Sequence, residues 1–225
     1  MGLLLMAGCT TAQVQATRQI PTLIEAHEAV AVLTATDSPF EAESVTCISE
    51  AVRKARPTAR VITPEEFRRT VFHYRIPEEE NERIKYLGLL ANEPALRDRM
   101  VSMGIRYLIA VQGRTNSERK GGGVGGGAGG GAGAVGLFWW ERQSRISASV
   151  FDLKEARPAG NLHASADGRP WFFFVFPSPL VFPSPLMIGA PAFTEGKACD
   201  QLGMEVAKFL AGESVPQALE APQKE

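Results

Sequence analysis

Arg106-Tyr107-Leu108-Ile109-Ala110-Val111-Gln112 is a short β-branched and aromatic run with no consistently polar side. Successive side chains of a strand point to opposite faces, so this run predicts a central strand covered on both faces. A buried strand of that kind belongs to a layered α/β arrangement, and the flanking sequence supplies the other elements. Upstream, residues 28–36 (Glu-Ala-Val-Ala-Val-Leu-Thr-Ala-Thr) form a second apolar run, closed by Asp37-Ser38-Pro39. Val45, Ile48, Val52 and Ala55 then recur at helical spacing until Pro57. Residues 59–63 predict another short strand. Thr63-Pro64-Glu65-Glu66 follows with an N-cap, a proline at the first helical position and a glutamate three residues after the cap.

Ile76-Pro77 interrupts the chain, and residues 78–91 place Ile84, Leu87 and Leu90 on one helical face behind Glu78, Glu79 and Glu80. A short helix opens near Pro94 and Gly104 is placed to cap it. Downstream of the central strand, Ile146, Ala148 and Val150 alternate with Arg145, Ser147 and Ser149. Leu162, Ala164 and Ala166 alternate likewise with His163, Ser165 and Asp167. With a turn at Pro158-Ala159-Gly160 these predict a hairpin with one wet face. Cys199, Leu202, Val206, Phe209 and Leu210 make a closing amphipathic helix, stopped by Gly212. The expected fold is a single mixed α+β domain over residues 26–212, with a mixed sheet of about five strands and helices packed on it. Residues 9–25 read as a tether and 213–225 as a loose tail.

The 225 residues carry 24 Lys and Arg against 25 Asp and Glu, which gives no electrostatic claim on nucleic acid. Hydrophobic residues at 44% and charged residues at 22% fit a globular chain with a full core. Residues 1–9, Met-Gly-Leu-Leu-Leu-Met-Ala-Gly-Cys, resemble the lipobox of bacterial lipoproteins. The resemblance implies a signal peptide over residues 1–8, shortened at its start, and acyl chains on Cys9. It also implies a lipid-anchored place at the periplasmic face of a Gram-negative outer membrane. Acyl chains each bury many methylenes at about 0.8 kcal/mol apiece, so such an anchor holds essentially permanently. Cys47 and Cys199 remain, and they can pair in an oxidising compartment or stay as two buried thiols.

Two segments lack charge. Residues 121–140 hold eleven glycines in twenty positions, end in Leu137-Phe138-Trp139-Trp140, and read as a flexible Gly-rich loop. A spanning helix is the weaker reading there, since each glycine costs about 1 kcal/mol against alanine. A phosphate loop is weaker still, because no Gly-Lys-Ser or Gly-Lys-Thr follows. Residues 170–194 hold six Phe, six Pro and a tandem Val-Phe-Pro-Ser-Pro-Leu at 175–180 and 181–186. The prolines argue against a helix or central strand, so this segment reads as a surface loop. Trp171, Phe172, Phe173, Phe174, Phe176 and Phe182 are its candidate contacts to a partner or to lipid, the alternative being a lid folded over the sheet.

The Ala-Val-Ala-Val-Leu strand, the cysteine-bearing helix, Ile62-Thr63-Pro64-Glu65-Glu66-Phe67, the central strand from Gly104 to Gly113, and Ser147-Ala148-Ser149-Val150-Phe151-Asp152-Leu153 together resemble one known domain. It is the α/β domain shared by the TolB amino-terminal region and the curli secretion channel lipoproteins. That resemblance implies binding or assembly, with no site residues to transfer. His27, His73 and His163 have no neighbours at metal-ligand spacing, no Gly-x-Ser-x-Gly occurs, and no cofactor or catalytic residue is expected. The expected role is a non-catalytic envelope scaffold or binding module for another envelope protein. The alternative is a subunit of an oligomeric outer-membrane channel in which the two uncharged segments insert. A hydrolase is the third and least favoured class.

Overall fold

The computed structural model describes residues 11–34, 39–71, 93–126, 134–176, 186–190 and 193–213. The chain divides into two compact units. An α/β unit holds residues 13–114, 145–165 and 198–225, and a β unit holds 1–12, 115–144 and 166–197. Among the described residues there are eight strands. These are β1 (Thr11–Arg18), β2 (Ala29–Thr34), β3 (Arg60–Ile62), β4 (Ile105–Gly126), β5 (Ala134–Asp152), β6 (Arg157–Gly168), β7 (Trp171–Phe176) and β8 (Leu186–Ala190). Four helices accompany them: α1 (Pro39–Ala55), α2 (Pro64–Val71), α3 (Pro94–Ser102) and α4 (Thr194–Leu210).

In the α/β unit the strand order is β1-β6-β5-β4-β2-β3. β2 pairs parallel with β3 and with β4, so the first crossover through α1 is parallel. The central strand from 106 onward therefore has neighbours on both edges, and Tyr107, Ile109 and Val111 are fully buried. Ala29, Ala31 and Leu33 of β2 pack with Ile62, Phe67, Met100, Ile105 and Leu108 in one cluster. Alternation sends Val30 and Val32 to the opposite face, and they are fully buried too. The cap anticipated at α2 forms: the Glu66 amide donates to Thr63 Oγ1 at 3.3 Å. Gly104, at φ +80°, donates to Val101 O at 2.9 Å and turns the chain into β4, and its carbonyl accepts from Ala29 N at 2.7 Å.

Gly203 of α4 faces α1 so closely that a Cβ there would lie 2.6 Å from Ala51 Cβ. On the same pair of helices Cys47 and Cys199 form a disulfide, with Cα atoms 6.2 Å apart and a sequence separation of 152. Closing so long a loop restricts the unfolded chain, which corresponds to a stabilisation of about 2–5 kcal/mol. The Cys47→Ser, Cys199→Ser double variant is expected to lose that amount in equilibrium urea unfolding. An unfolding midpoint that does not move on reduction of the parent protein would contradict the assignment.

The structure corrects several expectations. The segment 9–25 contains β1, and Ala16, Ile20, Thr22 and Ile24 are buried. Thr22 Oγ1 and Arg18 Nη2 both donate to Phe209 O at the end of α4, and Ile24 N donates to Leu210 O. Backbone pairing and helix-end carbonyls hold this polar stretch, whose own apolar signal is weak. The sheet has more than about five strands, because the two uncharged segments read as loops contribute β7, β8, the end of β4 and the start of β5. The hairpin between β5 and β6 turns at residues 153–156, with Ala156 at φ +54°, ahead of Pro158-Ala159-Gly160, which lie in β6. The helix expected over 78–91, Cys9, Phe182 and most of the tail lie outside the described residues.

Candidate functional site

The β unit is built from the uncharged sequence. Its strand order is β4-β5-β7-β8. β5 runs antiparallel to β7, with Val135 opposite Val175, Leu137 opposite Phe173 and Trp139 opposite Trp171. β7 runs antiparallel to β8, with Trp171 opposite Ala190 and Val175 opposite Leu186. The side chains of Trp139, Phe138 and Val135 lie against Gly121, Gly122 and Gly125, so β4 and β5 also run antiparallel. A Cβ at Gly121 would occupy the space taken by the Trp139 ring, which would have to shift to admit it. Gly136 makes the same room for the Phe174 ring.

Directly opposed residues of an antiparallel pair share a face. One face therefore carries Val135, Leu137, Trp139, Trp171, Phe173 and Val175. Val135 is 47% exposed, and Leu137 and Trp139 are each 42% exposed. The other face carries an aromatic layer: Phe138 stacks on Phe174 at 5.9 Å, and Phe172 and Trp140 tilt against its members at 6.1 and 6.4 Å. Neither face of β5 from 134 to 140 nor of β7 from 171 to 175 bears a polar side chain. This differs from a soluble antiparallel sheet, in which one face is wet.

The chain's three tryptophans sit at one level of this sheet. Trp139 is paired with Trp171, Trp140 is next in sequence, and its amide donates to Pro170 O at 3.0 Å. On one side of that level the strands are uncharged. On the other side is a collar of ion pairs: Lys120 with Glu118 at 2.9 Å and with Glu141 at 3.5 Å, Arg169 with Glu141 at 3.4 Å, and Arg142 with Glu195 at 2.7 Å. The hydrogen bond that Lys120 donates to the Glu118 carboxylate raises the Lys120 pKa above its ordinary value. Arg119 lies over the Phe138 ring at 4.5 Å, joining collar and aromatic layer. The collar borders a groove of about 610 Å³ lined by Glu118, Glu141, Arg142, Asp167 and Arg169.

Of the residues singled out from sequence, Trp171, Phe172, Phe173 and Phe174 come together in β7, and Phe176 ends that strand. The sequence reading missed their partners in β5. Val135, Leu137 and Trp139 alternate at the strand period, a signal hidden by the glycines before them. It also missed a buried cluster in the α/β unit. Arg106 reaches Asp152 at 3.1 Å and Glu28 at 3.0 Å, with side-chain exposures of 15%, 0% and 9%. Burial opposes the charge on Arg106, and the hydrogen bonds to Asp152 and Glu28 outweigh it, so its pKa is raised. Burial likewise raises the Tyr107 phenol, whose oxygen accepts from Leu23 N at 3.1 Å. Glu25, His27 and Glu28 bring ligand atoms within 4.8 Å of one another. The Glu28 carboxylate is already taken up by Arg106 and by the Glu25 amide at 3.0 Å, so this group serves the ion pair.

No protein-family model matches the chain, and no curated protein matches it. Among solved structures, a PelC variant dodecamer from Paraburkholderia phytofirmans aligns with 90% of this chain and 100% of its own, at 11% identity and a TM-score of 0.40. A PelC dodecamer from the same organism aligns with 90% of this chain and 99% of its own, at 11% identity and a TM-score of 0.36. Among the described residues, no helix is long and apolar enough to cross a membrane.

Proposed function

We propose that the chain is an envelope lipoprotein whose β unit enters a bilayer as part of an oligomeric membrane assembly, working by contact and not by catalysis. The observation that carries this reading is the tryptophan level between the uncharged strands and the charged collar. Tryptophan rings concentrate at membrane interfaces, with apolar residues on the hydrocarbon side and charges on the water side. A sheet apolar on both faces has no favourable solvent in water. The uncharged stretch supplies residues 121–126 of β4 and 134–140 of β5, two antiparallel strands without a charge between the collar and their described ends. The Cys47–Cys199 disulfide fits an oxidising compartment. The lipobox resemblance and the resemblance in sequence pattern to the curli channel domain belong to the same proposal.

Lipid offers no donors or acceptors, so an open four-stranded sheet cannot stand alone in hydrocarbon. Its outer strands β4 and β8 would be paired by further copies, which makes the assembly oligomeric. The aromatic layer of Phe138, Phe172 and Phe174 would face inward, and the exposed face of Val135, Leu137 and Trp139 would meet acyl chains. The scaffold reading differs in one measurable respect, since there the lipid on Cys9 is the sole attachment. Carbonate extraction of membranes holding the Cys9→Ser variant separates the two. Retention in the membrane pellet, with a detergent-extracted particle at a whole-number multiple of the protomer mass, supports insertion. Complete release as a monomer supports the scaffold reading and overturns insertion.

A further inference from the structure

The α/β unit contains a second cavity, of about 270 Å³, that the membrane reading does not use. Thr34 ends β2 and Thr63 follows β3, so the cavity lies at the carboxyl ends of two parallel strands, where open α/β sheets place their ligands. α1 contributes Ser49 and Arg53, and α2 contributes Glu65 and Arg68. Ser49 is 3% exposed, yet among the described residues its Oγ has no hydrogen-bond partner. A buried hydroxyl left unpaired is destabilising, and this one lines a cavity open to a ligand. Arg68 is braced by Nε donating to Pro64 O at 3.3 Å, and Arg53 makes no ion pair among the described residues. Among the described lining residues, two guanidinium groups stand against one carboxylate, an excess of positive charge.

We propose that this crevice binds a phosphate monoester, with Arg53 and Arg68 meeting the phosphate charge and Ser49, Thr34 and Thr63 presenting hydroxyls to its oxygens. Guanidinium forks match phosphate geometry, and hydrogen bonds to a charged partner are stronger than neutral ones. The cavity volume leaves room for a small organic group on the phosphate. That group can belong to a soluble metabolite or to a lipid headgroup. The inference does not depend on membrane insertion.

The test is calorimetric titration of the full chain in detergent at low ionic strength, with glycerol 3-phosphate in one arm and monomeric dihexanoyl phosphatidic acid in the other. Saturable binding of either probe at millimolar concentration or tighter is expected. Tighter binding of glycerol 3-phosphate assigns the site to a soluble ligand, and tighter binding of the short-chain lipid assigns it to a headgroup. The Arg53→Gln, Arg68→Gln double variant should weaken binding by about tenfold or more. Ser49→Ala should weaken it several-fold while leaving the Tm of the free protein equal or higher, because it removes an unpaired hydroxyl. Binding of neither probe, or undiminished binding by the arginine double variant, overturns the proposal.

Discussion

Replacing Arg106 with Met is expected to destabilise the fold by about 3–5 kcal/mol, a large part of the roughly 5–15 kcal/mol that holds a domain together. The expectation rests on what the substitution leaves behind. Asp152 is fully buried and Glu28 nearly so, and Arg106 bonds to both carboxylates. Without the guanidinium two buried negative charges face each other with no cation between them. Asp152 Oδ1 also accepts from the amides of Lys154 and Glu155 at 3.0 Å each, so the charge cannot turn away without opening the β5–β6 turn. Adding Asp152→Asn to Arg106→Met removes one charge and keeps that acceptor, and should recover part of the loss. Equilibrium urea unfolding of the three proteins checks this, and a loss below about 1 kcal/mol in the single variant would contradict the role given to the cluster.

The second large effect concerns the β unit. Val135 lies four residues beyond Trp139 on the exposed face, about 13 Å along the strand and so about 10 Å deeper at the usual barrel tilt. Arginine on the lipid face near the bilayer midplane costs about 2–4 kcal/mol, which corresponds to a roughly 30- to 700-fold loss in partitioning. Val135→Arg should therefore be recovered mainly outside the membrane pellet when the Cys9→Ser background removes any anchor. Its unfolding in detergent-free buffer should change by no more than about 0.5 kcal/mol, because the position is already exposed. Val135→Leu should partition as the parent does. Equal partitioning of Val135→Arg and the parent would contradict insertion of this face.

The α/β unit was largely legible in the sequence because its signals are local and strong. β2 and the start of β4 are unbroken apolar runs, Thr63 caps α2, and Gly104 and Gly212 supply the left-handed turns that close α3 and α4. β1 escaped because its alternation of Ala12, Val14 and Ala16 with Thr and Gln is weakly apolar, and its order comes from β6 and from the end of α4. The β unit escaped for the opposite reason. Glycine in β4 argues against a strand when read alone, and its use is apparent once Trp139 and Phe138 of β5 are seen lying over it. The prolines of 170–194 argued for a surface loop over the whole segment, yet residues 171–176 and 186–190 contain none and form β7 and β8. Candidate contacts in β7 were legible as aromatics. Their pairing with β5, and the single level shared by all three tryptophans, depend on strand register, which no window of sequence contains.

Tryptophan fluorescence of the full chain in vesicles made with brominated phospholipids tests the central claim most directly, since every reporter in the protein lies at the proposed interface. Insertion predicts a blue-shifted emission, quenched most by bromines placed near the headgroup end of the acyl chain and less by deeper ones. Attachment through lipid alone would leave the same vesicles bound but the emission unshifted and unquenched at every bromine depth, and that result would contradict the account.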